Sequence, residues 1–384
     1  MDNDNPFEGI PFFGDFEKLF GGGGQDHWST AKQIAVQMAT GEDGDSNVDP
    51  SYRIALEELS RVAQLHVSDA TGLDSRNATV VPVTRTEWAH ATIEAYQPLF
   101  EELNASLGKS SRNEIESSDP MGAMFGQMMQ FLGPMMLAMT AGSMVGHLAQ
   151  RALGQYDLPI PREQDAQVRI ITRNVETFGQ EWSLPSEELL LWVCLNEITY
   201  YTVFQLDHIR KRFSDLLMEY VGAFESNPSG LEEKLQQIDM TSPSAIEDLQ
   251  KSLGSPEVIL GAMQSEEQKF ILPELEATTA VIVGYVDHVM DSVGKGLIGS
   301  YDQITEAMRR QRVEADPSDR FIERLLGLEL TQAQVDRGTN FVNGVLERAE
   351  TAGLGRLWED SKNFPTPNEV DAPGLWLARL DILD

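Results

Sequence analysis

The amino-acid sequence predicts a mainly α fold, α+β with a few short strands. Apolar residues recur at helical spacing through most of the chain. Cap-like residues stand where such stretches begin, as at Asp49-Pro50, an N-cap followed by a first-turn proline. Only two short runs read as strands, 80–84 and 168–172, and Pro82 limits the first to a sheet edge.

Taken in order, residues 1–27 read as a flexible N-terminal tail. Phe7, Ile10, Phe12, Phe13, Phe16, Leu19 and Phe20 make it too apolar for a plain linker. It is expected to dock on the body or on a partner, ahead of the four glycines 21–24. Residues 28–384 read as one domain, with an N-terminal helical part (28–160) and a second part (161–384). The helix opened by Pro50 places Tyr52, Ala55, Leu56, Leu59, Val62, Ala63 and His66 on one stripe, which makes His66 a core histidine rather than a ligand. Thr86 is placed to cap a helix reaching about Leu107. Residues 121–150 contain no Asp, Glu, Lys or Arg and hold eight of the fifteen methionines. Gly133-Pro134 splits this run into pieces too short to span a bilayer. Gly142 and Gly146, four apart, allow close helix packing. We read the run as a buried, Met-rich helical hairpin.

A Pro-rich connector follows at 157–161. Ser186 is expected to cap the next helix, with Glu187 and Glu188 in its first turn, where acids suit the helix dipole. Further helices are expected near 206–225, 244–253, 265–293, 300–312, 318–326 and 331–351. The chain then ends in turn-rich sequence around Pro365, Pro367 and Pro373.

Composition narrows the function classes. Apolar residues make up 41% of 384, enough for a sizeable core. The net charge of -32, from 29 basic and 61 acidic residues, repels nucleic acid and anionic membrane surfaces. The single cysteine, Cys194, rules out an internal disulfide and a cysteine-based zinc site. Set between Val193 and Leu195, it reads as a buried, inert thiol, suited to a reducing compartment. The first residues show no secretory signal, so a cytoplasmic location is expected.

One stretch carries chemistry. Residues 192–204 read Trp-Val-Cys-Leu-Asn-Glu-Ile-Thr-Tyr-Tyr-Thr-Val-Phe. They hold the frame of the zinc-protease motif His-Glu-x-x-His, with Asn196 and Tyr200 in place of the histidines and Glu197 in place of the general base. A working motif projects two imidazoles, four residues apart, to one metal, and the glutamate deprotonates the bound water. An amide is a poor zinc ligand, and a phenol with a pKa of about 10 binds metal only when ionised. Leu189, Val193, Asn196, Tyr200 and Val203 or Phe204 fall on one helical stripe, which places polar groups on or beside an inward face. The six histidines, His27, His66, His90, His147, His208 and His288, lie more than twenty residues apart, so no helix presents a histidine pair. No phosphate loop, nucleophile elbow or dinucleotide fingerprint is present. Arg309, Arg310 and Arg312 read as a solvated helix end.

The chain resembles a family of bacterial zincin-like proteins labelled as hydrolases or zinc-dependent metalloproteases. The resemblance rests on the opening Pro6-Phe-Glu-Gly-Ile-Pro and on the run from Gly142-Ser-Met-Val-Gly-His to Gln155-Tyr-Asp-Leu-Pro159. It continues through Leu191-Trp-Val-Cys-Leu-Asn-Glu-Ile-Thr, Gly284-Tyr-Val-Asp-His-Val-Met-Asp291 and Arg337-Gly-Thr-Asn-Phe-Val342. It implies a zincin-like metallopeptidase architecture, with 161–384 as a degenerate metallopeptidase core. The family places a third zinc ligand, a glutamate, in a Glu-Gly-x-x-Asp setting. Here that setting reads Val283 to Asp287, so the resemblance puts Val283 at the third ligand position and makes Asp287 a vestigial acid that would orient a ligand.

The expectation is a zincin-like metalloprotease homologue without its zinc ligands, a pseudoenzyme that binds or scaffolds a protein or peptide partner. Glu197 would be a vestigial base, held as a buried acid with a raised pKa or paired to a base, and no cofactor is expected. The alternative is a zinc-dependent hydrolase with a site rebuilt from Glu197, Tyr200, Asp287 and His208 or His288.

Overall fold

The computed structural model describes residues 27–41, 44–115, 135, 137–162, 166–224, 265–313 and 322–383. The expected N-terminal tail, the first arm of the hairpin and the expected helix at 244–253 lie outside the described residues.

The protein is mostly helical, with two short parallel strands among the described residues. Helix α1 (His27–Thr40) buries a ladder of small residues, Ala31, Ala35 and Ala39. Against it lies α4 (137–149), the second arm of the uncharged run. A methyl group at Gly142 would meet the Ala31 carbonyl oxygen at 2.4 Å. The small residues four apart thus bring two backbones together, as their spacing predicts. Among the described residues no single helix is long and apolar enough to cross a membrane.

Helix α2 (Pro50–Thr71) starts as expected, the Asp49 carboxylate accepting the Ser51 N–H at 2.8 Å. Its inner stripe is rotated from the predicted one. Leu56, Ser60, Ala63 and Val67 are buried, while Val62 is exposed and His66 only half-buried. Strand β1 (Thr79–Val83) leads into α3 (Arg85–Ile115). The cap of α3 is Thr84, two residues before the expected Thr86. The Thr84 hydroxyl accepts the Glu87 N–H at 3.1 Å, and the Glu87 carboxylate accepts the Thr84 N–H at 2.8 Å. Strand β2 (Gln167–Ile171) pairs with β1 in parallel, Thr79 opposite Gln167 and Pro82 opposite Ile170. Among the described residues both strands are edges, and Pro82 sits where a proline is tolerated.

Helices α5 (Thr172–Glu181), α6 (Ser186–Phe204) and α7 (Asp207–Gly222) follow. Ser186 is the first helical residue of α6 and not its cap: Pro185 holds the cap position, with no side-chain hydrogen bond. Helix α8 (Glu266–Leu297) begins with a full capping box, in which Ser265 and Gln268 bond each other's backbone N–H. Helices α9 (Tyr301–Val313) and α10 (Gln332–Gly355) follow, the latter broken at Glu350, whose φ is 54°. The end of the chain is more regular than predicted. Pro367 and Pro373 each open a short helix, α11 (Pro367–Asp371) and α12 (Pro373–Leu383), because proline at the first helical position loses no hydrogen bond. One contiguous apolar core runs from Ala31 to Leu380, with α6 inside it.

Candidate functional site

Helix α6 is walled in on almost every side. Fourteen of its nineteen residues are buried, so it has no single inner stripe. Beyond its first turn only Leu191 and Asn196 stay partly exposed. The expected inward stripe through Asn196 is therefore corrected: Asn196 is half-buried, and Glu197 beside it is the deep polar residue, 1% exposed. The two buried threonines return their hydroxyls to their own helix, Thr199 to the Leu195 carbonyl and Thr202 to the Ile198 carbonyl, both at 2.7 Å.

The Glu197 carboxylate faces the loop that follows α4, not an open cavity. Its Oε2 accepts the Gln155 N–H at 2.7 Å and the Tyr156 N–H at 3.1 Å. Gly154 lies against it so closely that a methyl group there would stand 2.3 Å from the Glu197 Cδ. The loop is tied down elsewhere too. The Trp88 indole donates to the Gly154 carbonyl at 2.8 Å, and Asn174 Nδ2 donates to the Ala152 carbonyl at 2.7 Å. Asp157 Oδ1 accepts the Leu153 and Gly154 N–H groups at 3.1 and 3.3 Å. Burial raises the Glu197 pKa to about 8, and the nearby Asp157 charge adds to that. The two backbone N–H bonds and the Arg162 guanidinium favour the charged form, but desolvation outweighs them. Arg162 lies 4.9 Å from the Tyr96 ring centre and donates to Thr92 Oγ1 at 3.0 Å.

Tyr200 is packed into an aromatic group. Its ring stacks on Tyr156 at 5.8 Å and on Phe204 at 6.2 Å, and the last two rings meet at 5.6 Å. Val283 is fully buried in α8. One residue further on, α8 crosses α10 at very close range. A methyl group at Gly284 would stand 2.4 Å from the Gly338 carbonyl carbon, and one at Gly338 would stand 2.0 Å from the Ala280 oxygen. Asp287 is half-buried and lines a separate cleft of about 820 Å³ among α6, α8, α9 and α10. Asp291, on the same face, accepts the Tyr301 hydroxyl at 2.8 Å and pairs with Lys295 at 3.1 Å. His288 also lines the cleft; partial burial lowers its pKa, against the raising effect of Asp291. His208 lies elsewhere, near the Asp360 carboxylate.

These residues do not fit a zinc centre. Val283 has no donor atom, the Tyr200 ring is held in an aromatic stack, and Glu197 already accepts two backbone donors. Asn196 offers only an amide. Among the described residues no group of three or more His, Cys, Asp or Glu side chains could hold a metal ion. Cys194 is fully buried, and desolvation raises its thiol pKa. Sequence reasoning singled out Glu197 but not its partners. Their signal was the glycine of Leu153-Gly-Gln-Tyr156, a small residue that a carboxylate could approach.

The chain belongs to the zincin-like metallopeptidase family, whose model matches residues 27–377. A crystal structure from Chloroflexus aurantiacus, described as a "putative hydrolase with a novel fold", is similar to it at a TM-score of 0.60 and 23% identity. The match covers 92% of this chain and 98% of that one, and at this identity it speaks for the fold alone. A search of curated proteins finds no match.

Proposed function

We propose that this family member has lost its zinc ligands and acts without catalysis, binding or scaffolding a protein or peptide partner in the cytoplasm. The observation that carries the reading is the enclosure of Glu197. A general base must reach a metal-bound water, whereas the Gln155 and Tyr156 N–H groups converge on this carboxylate and Gly154 seals it. The glutamate then serves as an anchor for the loop. The stacked Tyr200 and the buried Val283 support the same reading, since each fills space by packing. The buried thiol of Cys194 suits a reducing compartment.

The test is the metal content of untagged protein, purified after growth with ample zinc and measured by mass spectrometry. The expected result is no stoichiometric zinc; about one zinc per chain would overturn the proposal. A second arm installs the absent ligands together, as Asn196→His, Tyr200→His and Val283→Glu. If the ligand map is right, the folded triple variant gains zinc. A folded variant that binds none refutes the map.

A further inference from the structure

Helix α10 is broken at a single residue. Glu350 has φ 54° and ψ -162°, a region that glycine alone enters freely. The chain is helical on both sides of it, and Gly355, Arg356 and Glu359 beyond the break keep right-handed helical angles. No glycine or proline stands within two residues of Glu350. Glu347, Arg348, Ala349 and Glu350 are all good helix formers. The local sequence therefore favours one continuous helix from Gln332 to about Trp358, and the fold imposes a bend against it.

Gly353 fits only the bent form. A methyl group there would stand 2.5 Å from the Ala349 Cβ and 3.2 Å from Val345 Cγ1. In a continuous helix, residues four apart keep their Cβ atoms about 5–6 Å from each other. A straight α10 would accept alanine at 353, and the bent one does not. What holds the bend is the terminal unit that follows it, residues 351–383. Trp358 meets Tyr285 of α8 at 4.7 Å and Trp376 meets Phe341 of α10 at 5.4 Å, both edge to face. Asp371 of α11 takes Arg337 at 2.7 Å. If Glu350 turns helical, the unit leaves these seats and uncovers Phe341 and Trp376, both now fully buried. The partner that fits the vacated seats ring for ring is the same unit of a second copy.

We propose that Glu350 is a loaded hinge through which the chain exchanges residues 351–383 with a second copy of itself. The exchanged dimer keeps the contacts between unit and body, and it relieves the backbone strain in both chains. The net charge of -32 opposes the meeting of two copies, so salt promotes the exchange. The exchange goes beyond the non-catalytic reading and does not depend on it. The test unfolds the full chain in urea and returns it to buffer at high protein concentration and high salt, followed by sedimentation equilibrium. A dimer is expected. Glu350 is exposed, so Glu350→Gly removes no packing; it relaxes the bent form, weakens the straight helix and raises the dimer dissociation constant at least about tenfold. Gly353→Ala acts in the opposite sense and lowers that constant at least about tenfold. Exchange is told from ordinary association by Gly344→Cys with Pro373→Cys, since a methyl group at Gly344 would stand 3.2 Å from the Pro373 Cβ. After oxidation, this pair joins two chains in an exchanged dimer and closes within one chain in any other, as a denaturing gel without reductant shows. The buried Cys194 does not compete. A chain that stays monomeric under all these conditions overturns the proposal, and so does a dimer linked only within its chains. Should the double-cysteine variant fail to fold, the two hinge variants decide: shifts that are absent or of the same sign overturn it.

Discussion

On the loop side of α6, the Glu197 carboxylate is enclosed by the Gln155 and Tyr156 N–H groups and by Gly154. On the cleft side, Trp192 of the same helix lies near an acidic wall, its buried indole N–H without a hydrogen-bond partner among the described residues. One side uses polar groups to fix a loop; the other lines a cleft with carboxylates bonded mostly at the surface, as Asp291 is to Lys295 and Tyr301. A metallopeptidase needs its glutamate on an available side. The position within a motif therefore says less about chemistry than the direction in which the local backbone supplies hydrogen bonds.

The sharpest way to break the comparison is to disturb what holds each side closed. Gly338→Ala should be the most damaging change, because its methyl group would meet the Ala280 carbonyl oxygen at 2.0 Å and neither helix backbone can yield cheaply. We expect a loss of about 3 kcal/mol or more in urea unfolding. A loss below about 1 kcal/mol would mean that the α8–α10 crossing is looser than its geometry.

Gly154→Ala should cost about 1–3 kcal/mol, because its methyl group would collide with the Glu197 carboxyl, which is the end of a side chain and can move in part. Combining it with Glu197→Ala relieves the collision. The double variant should then be more stable than the two single losses predict when added. Simple additivity would show that the two groups do not press on each other.

Titration distinguishes the sides next. Burial raises the Glu197 pKa from 4.5 to about 8, so between those values the folded chain holds a proton that the unfolded chain has released. This group therefore favours the folded state most below pH 4.5, and its contribution declines as pH rises to about 8. Glu197→Gln carries no charge and should flatten that slope in thermal melts followed across pH. A slope unchanged by the substitution would place its origin in other groups. Smallest in effect is the contrast between the two helix starts. Ser265→Ala removes half of a capping box and should cost about 1 kcal/mol, whereas Ser186→Ala, which removes no cap, should change stability little. Equal losses would contradict these assignments.

Much of the fold was legible because it follows from local rules. The Asp49 cap, the edge strand with Pro82 and the close packing at Gly142 each depend on residues near one another in sequence. The stripe of α2 and the face of α6 were read less well for a physical reason. Periodicity assumes one wet side, and α6 has almost none, so Asn196 and Glu197 could not be ordered by depth from spacing. The loop that encloses Glu197 lies about forty residues earlier, and no local pattern ties Gln155 to it. The four described runs that carry the family resemblance meet in pairs: Gly154 touches Glu197, and Gly284 touches Gly338. Each pair is a contact that larger side chains would break.

The sealed thiol of Cys194 has a practical consequence. A chain whose only sulfhydryl is fully buried presents no native reactive sulfur to a maleimide dye. A cysteine introduced at the exposed Asn343 would be the one accessible label, placed at the rim of the cleft. A fluorophore there would report changes at the cleft by its own emission, without removal of any natural residue elsewhere.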